Sequence, residues 1–202
     1  MNVVREVDRP TSEAAVETLI REHRNIGMLL VMLDSYFAAM SAGDEVDESL
    51  LVDAMTYMTE YVGRFHHSKE QLAIDVVAER SQTIADAKDE LEAQHLRIRE
   101  AGAWLRATLE QVVLRDAPVS RQKLIATGLG YTAEMRRNME LEERFVFPAL
   151  TVGLDADAWQ VIRAKVPPQP DPLFGEAVHQ RYAELFRELV ERFGLEDEAR
   201  YE

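Results

Sequence analysis

Apolar residues recur every three or four positions along most of this chain and almost never alternate, a periodicity that predicts an all-α protein. Thr11 and Ser12 are N-cap candidates for a first helix running to about Met40, closed by Ser41, Ala42 and Gly43. Asp47 opens a second helix that extends to the late 70s, and a third runs from about Ile84 to Leu114. Asp116-Ala117-Pro118 then breaks the chain and Ser120 offers the next cap, for a fourth helix over about 120–150. Pro148 falls in its last turns, where it should kink or thin the helix rather than begin a new one. A short helix around Asp157 to Ala164 follows, then an extended linker from Val166 to Pro172. The last amphipathic helix, about 174–194, carries a stripe of Val178, Tyr182, Leu185, Phe186 and Leu189 that should dock on the rest; the residues after it are polar and should fray. The expected architecture is an up-down-up-down four-helix bundle over 1–153, with 154–202 supplying a linker and a C-terminal helix packed on it.

The stripes themselves carry the chemistry, because polar residues stand where hydrophobes belong. The first reads Val16, Ile20, His23, Gly27, Leu30, and the second Met55, Thr59, Val62, His66, Glu70. The third reads Leu91, His95, Ile98, Gly102, Leu105, and the fourth Gly128, Tyr131, Met135, Asn138, Glu142, Phe145. Burying an isolated carboxylate or unpaired imidazole costs several kcal/mol unless a partner or a metal compensates. A metal pair is an economical common cause, since cations neutralise bridging carboxylates and neutral imidazoles complete the coordination. His66 with Glu70, and Asn138 with Glu142, each lie four residues apart on one helix face. Any one of these pairs alone is weak evidence, since a single inward His is more often a satisfied core residue. Their occurrence on all four helices is what points to one site.

Composition narrows the chemistry. The chain has 202 residues and 47% hydrophobic content, enough for one domain with an appendage. Its 23 basic and 37 acidic residues leave a net charge of -14, which argues against nucleic acid as a partner. With no cysteine, disulfides, thiolate zinc sites and iron–sulfur clusters are excluded, so any metal is held by His, carboxylate and water. No apolar h-region opens the chain, and no uninterrupted apolar run approaches the ~20 residues of a membrane span; a cytoplasmic protein without a membrane partner is expected.

His23, then Phe65-His66-His67-Ser68-Lys69-Glu70, then Leu91-Glu92-Ala93-Gln94-His95, then the run from Asn138 through Glu142-Glu143-Arg144-Phe145-Val146-Phe147-Pro148, together resemble hemerythrin-like proteins, the HHE cation-binding domains. The resemblance covers about residues 12–150. It implies a four-helix bundle with a non-haem diiron centre, two iron ions per chain. His23 and His66 are then ligands of one iron, His95 of the other, and Glu70 and Glu142 are the bridges. One departure matters: Asn138 stands where the family has His, and an amide is a poorer ligand, which should leave that side weakly held. Asn138 itself, Glu134, His67 and His179 are the candidate substitutes. Glu134 and His67 lie off their stripes and otherwise read as solvated, and His179 otherwise reads as an exposed or capping residue. Met28, Met32, Met55, Met58 and Met135 read as flexible core filler, and Trp104 and Trp159 as packing anchors.

The resemblance leaves three functions open: a module that binds or senses dioxygen, nitric oxide or iron; an enzyme acting on peroxide or nitric oxide or donating iron for repair; or a metal-poor scaffold for a protein partner. Binding or sensing stands first, because no nucleotide loop, Ser-His-Asp set or separate substrate pocket is apparent in the sequence.

Overall fold

The computed structural model describes residues 11–114 and 119–195. Among them every regular element is helical. The elements are α1 (Ser12–Ala42), α2 (Glu48–Tyr57), the π-helical segment π1 (Met58–His66), α3 (His67–Ala78), α4 (Gln82–Leu114), α5 (Arg121–Leu141), the segment π2 (Glu142–Val146), α6 (Phe147–Gly153), α7 (Ala156–Lys165), a 3₁₀ turn at Gln180–Tyr182 and α8 (Ala183–Phe193). α2, π1 and α3 follow one another without a break, as do α5, π2 and α6.

Local chemistry sets the helix ends. Thr11 accepts from Ala14 N at 3.2 Å at the start of α1, and Gly43 closes that helix at φ +94, a left-handed conformation that suits glycine. Asp47, Ser120 and Asp155 cap α2, α5 and α7 through their side chains. The expected break at Asp116-Ala117-Pro118 lies outside the described residues, as do the residues after Leu195. Pro148 is the second residue of α6, directly after π2, and the helical run continues through it to Gly153.

Two expectations need correction. Phe145, placed on the inward stripe, is 45% exposed, and Val146 and Phe147 are buried instead. The wider turn of π2 holds one more residue than an α turn, so every side chain beyond it shifts around the axis by one position. The last helix begins at Ala183 rather than near 174. Asp171 is the cause: its side chain accepts from Leu173 N and Phe174 N at 2.9 Å each, and its carbonyl accepts from Gly175 N. His179 N donates to Pro172 O, holding the segment in turns until the 3₁₀ turn. The stripe from Val178 to Leu189 is buried nonetheless.

α1 packs along α5, α5 along α4, and α4 along α2, π1 and α3, while α8 packs on α1 and α2. Arg181 fastens the C-terminal segment by donating to Asp53 and Thr56, and Arg192 donates to Ser35 on α1. α1 is long and apolar enough to cross a bilayer by length and composition alone. Its Leu29, Leu30, Leu33 and Phe37 are fully buried against other helices, as in the core helix of a globular domain.

The core forms two apolar clusters. One holds Ile26, Val62, Ile98 and Met135; the other holds Leu19, Ala73, Leu91 and Val146. On each long helical run the predicted polar residues fall between the two. Close packing is testable at Gly128, where an added Cβ would sit 2.3 Å from the Phe37 ring. Gly128→Ala should destabilise by about 1–3 kcal/mol through overpacking. Gly130→Ala, with nothing within 4 Å of its Cβ, should stabilise by about 0.5–1 kcal/mol. Urea unfolding of the two variants checks the opposite signs.

Candidate metal centre

His23 comes from α1, His66 from the end of π1, His67 and Glu70 from the first turn of α3, His95 from α4, Asn138 from α5 and Glu142 from the start of π2. All seven are buried, and Glu70, Asn138 and Glu142 are wholly removed from water. His23 Nε2 lies 3.3 Å from Glu70 Oε1 and 3.5 Å from Glu142 Oε2, and His66 Nε2 lies 3.2 Å from Glu70 Oε1. His95 Nε2 lies 3.0 Å from Glu142 Oε1. The five residues expected as principal ligands therefore surround one space.

Each inward imidazole is oriented from behind. His23 Nδ1 meets Glu143 Oε1 at 2.9 Å, His66 Nδ1 meets Glu22 Oε2 at 2.7 Å, and His95 Nδ1 meets Gln71 Oε1 at 3.2 Å. An acceptor on Nδ1 fixes the tautomer that leaves Nε2 free to ligate, the usual arrangement behind a metal-binding histidine. Lys69 in turn holds both oxygens of Glu22 at 2.9 and 3.0 Å. Glu22, Glu143 and Gln71 were not identified from sequence. Each makes its bond to a residue on another helical run, and no spacing along the chain announces such a pairing.

Of the candidate substitutes, His67 joins the donors, which overturns its reading as solvated, and Asn138 is buried beside them. Its ring stacks on His95 with centroids 4.7 Å apart. It lies three residues before Glu70 and seven before Ile74, on the flank of the buried face of α3, so the stripe drawn through His66 was too narrow. Asn138 Nδ2 donates to Gln94 Oε1 at 3.3 Å and Glu142 Oε1 at 3.1 Å. Glu134 is held instead by Arg97 and Arg137, away from the other donors. His179 is exposed and caps the 3₁₀ turn by accepting from Arg181 N, as its duller reading anticipated.

His23 Nε2, both oxygens of Glu70, Glu142 Oε2 and Asn138 Oδ1 are buried with no hydrogen-bond partner. Orphaned polar atoms cost roughly 1–3 kcal/mol each, more when charged, and a cation shared among the five would answer them together. Two groups of three donors satisfy the distances of a metal site: His23, His66 and Glu70, and His67, Glu70 and His95, each with its ligand atoms within 4.8 Å of one another. Nitrogen and oxygen donors without sulfur suit iron, manganese or zinc.

Without a cation the carboxylates draw protons onto the rings. Burial pushes the His23 imidazole down, but Glu142 and Glu70 outweigh it and hold its pKa at about 10. Burial likewise opposes protonation of His95, and Glu142 with Glu70 again raises it. Burial and the neighbouring His95 and His66 push His67 well down, so it stands ready as a neutral donor. Burial would raise Glu142, yet His23 and His95 hold it well below the usual carboxylate range.

The sign of the pH dependence follows. The stability that protonated His23 lends the metal-free fold is present below its ordinary value of 6.5 and is lost as pH rises through about 10. A cation must displace that proton. Loading zinc at pH 7 should release roughly one to two protons per chain, with apparent affinity rising towards pH 10. Calorimetry in buffers of different ionisation enthalpy reads the protons directly, and His23→Ala should release fewer. No known protein family, no curated protein and no solved structure matches this chain.

Proposed function

We propose that the chain is a hemerythrin-like protein, an up-down-up-down four-helix bundle that holds two metal ions, iron in the first instance, and binds or senses dioxygen or nitric oxide. The observation that carries this reading is that Glu70 belongs to both donor groups and that neither of its oxygens has a hydrogen-bond partner. A carboxylate so placed suits a bridge between two cations. Glu142 faces the first group with one oxygen, at 3.5 Å from His23, and the second with the other, at 3.0 Å from His95, the position of a second bridge.

His67 supports a centre completed without an imidazole at position 138. Asn138 then positions Glu142 through its amide and keeps Oδ1 towards the site, while His67 and His95 serve the second cation. Bound iron would supply the affinity for a small diatomic ligand. The chain's own residues do the rest: Glu22, Glu143 and Gln71 hold the imidazoles in line, and the buried faces of the helices keep bulk water away. His67 and His95 also line a surface cavity of about 580 Å³ with Gly63, Ser68 and Arg99, which offers a small molecule an approach to the second group.

Metal analysis of protein from iron-supplemented cells should find about two irons per chain, with near-ultraviolet charge-transfer bands. Glu70→Gln should lose both metals, whereas Glu134→Gln should keep them, because a bridge serves two cations. Equal iron content in the two variants, or none in the parent, refutes the reading and favours a metal-free scaffold. His67→Ala should empty the second position alone, to about one iron per chain, and adding Asn138→His should restore it by returning an imidazole to the face that carries Glu142. Unchanged iron in His67→Ala would show that the second group is completed by other residues.

A further inference from the structure

A second site adjoins the first group on its outer side and shares His66 with it as part of its wall. π1, α1, α7 and the proline-rich linker enclose a cleft of about 450 Å³, within the range of small-molecule sites. Its walls are aromatic, from Tyr61, Phe65, Phe174 and Trp159. Its polar groups are sorted in an informative way. The two carboxylates that line it are already satisfied: Glu22 by His66 and Lys69, and Asp171 by Leu173 N, Phe174 N and the Tyr57 hydroxyl at 3.0 Å. The cations Arg21 and Arg163, which also line it, make no hydrogen bond or ion pair among the described residues. Unanswered positive charge is notable in a chain of net charge -14.

Trp159 supplies an independent observation. It is 2% exposed, and its indole Nε1 is buried with no hydrogen-bond partner, although a buried indole N–H usually finds one. An unpartnered donor, two guanidinium groups without a partner among the described residues, and aromatic walls match one kind of ligand. We infer that this cleft binds a small organic acid, an aromatic or aliphatic body with one carboxylate: the body lies against Phe65, Tyr61 and Phe174, and the carboxylate meets Arg21, Arg163 and the Trp159 N–H. Arginine suits this task because its planar fork matches a carboxylate with two parallel hydrogen bonds. A cation is disfavoured because both carboxylates of the cleft are engaged, and an uncharged hydrophobe would leave the guanidinium groups unused.

The inference does not rest on the metal reading and is tested on the full chain with or without iron. The sequence has two tryptophans, so Trp104→Phe leaves Trp159 as the reporter. Titration with 4-phenylbutyrate should give a saturable change in Trp159 emission, and the neutral 4-phenylbutyramide, of the same shape, should bind about tenfold more weakly or worse. Arg21→Ala with Arg163→Ala should bring acid and amide to equal affinity; both side chains are exposed, and thermal melts should match the parent. Trp159→Phe, followed by calorimetry, should weaken the acid by several-fold while hardly affecting the amide. Absence of saturable binding, equal affinity of acid and amide in the parent, or binding of the acid undiminished by loss of both arginines would overturn the assignment.

Discussion

Two carboxylates with no access to water, Glu70 and Glu142, govern the centre of this protein. A charge in that position is tolerable only if something of opposite sign lies within a few ångström, and the fold supplies imidazoles from three helices for the purpose. The result is a polar layer through the middle of an otherwise apolar core, with one hydrophobic cluster on either side. Those clusters bear the work of association, and their burial is what offsets the cost of a polar layer between them. The layer in turn makes the register of each helix matter, because a helix turned by one residue would bring a hydrophobe to the carboxylates and expose a histidine.

The periodicity of the chain is enough to place the layer. His23, His66, His95 and Glu142 lie on stripes defined by the hydrophobes on each side of them, and burial of those hydrophobes fixes which face turns inward. The caps at Thr11, Asp47 and Ser120 are equally legible because a cap is chemistry within four residues. Phe145 and the C-terminal helix were misjudged for reasons that a period of 3.6 cannot contain. A π turn changes the period for a few residues without altering composition, and Asp171 diverts the backbone by bonds that compete with helix. Glu22 and Glu143 could not be found, since their partners lie 44 and 120 residues away along the chain.

On the proposed reading, His67 absorbs the loss of an imidazole at Asn138. Read along the fourth helical run alone, Asn138 is a lost ligand. In space it is hydrogen-bonded to Glu142 and Gln94, and a histidine from α3 stands stacked against His95. The donor count of a site belongs to the volume it encloses rather than to any one helix, so a substitution on one element can be answered from another.

π1 and π2 both adjoin the polar layer, the first ending at His66 and the second beginning at Glu142. Both are wound more widely than a regular helix. Closing either into ordinary α turns with its length unchanged would rotate everything beyond it about the helix axis. Through π1 that rotation would carry His67 and Glu70 away from the other helices together. The winding of these two segments therefore holds the donors in place as surely as the donors' own side chains do: a change within 58–65 that favoured ordinary α turns at the same length would turn the inward face of α3 aside.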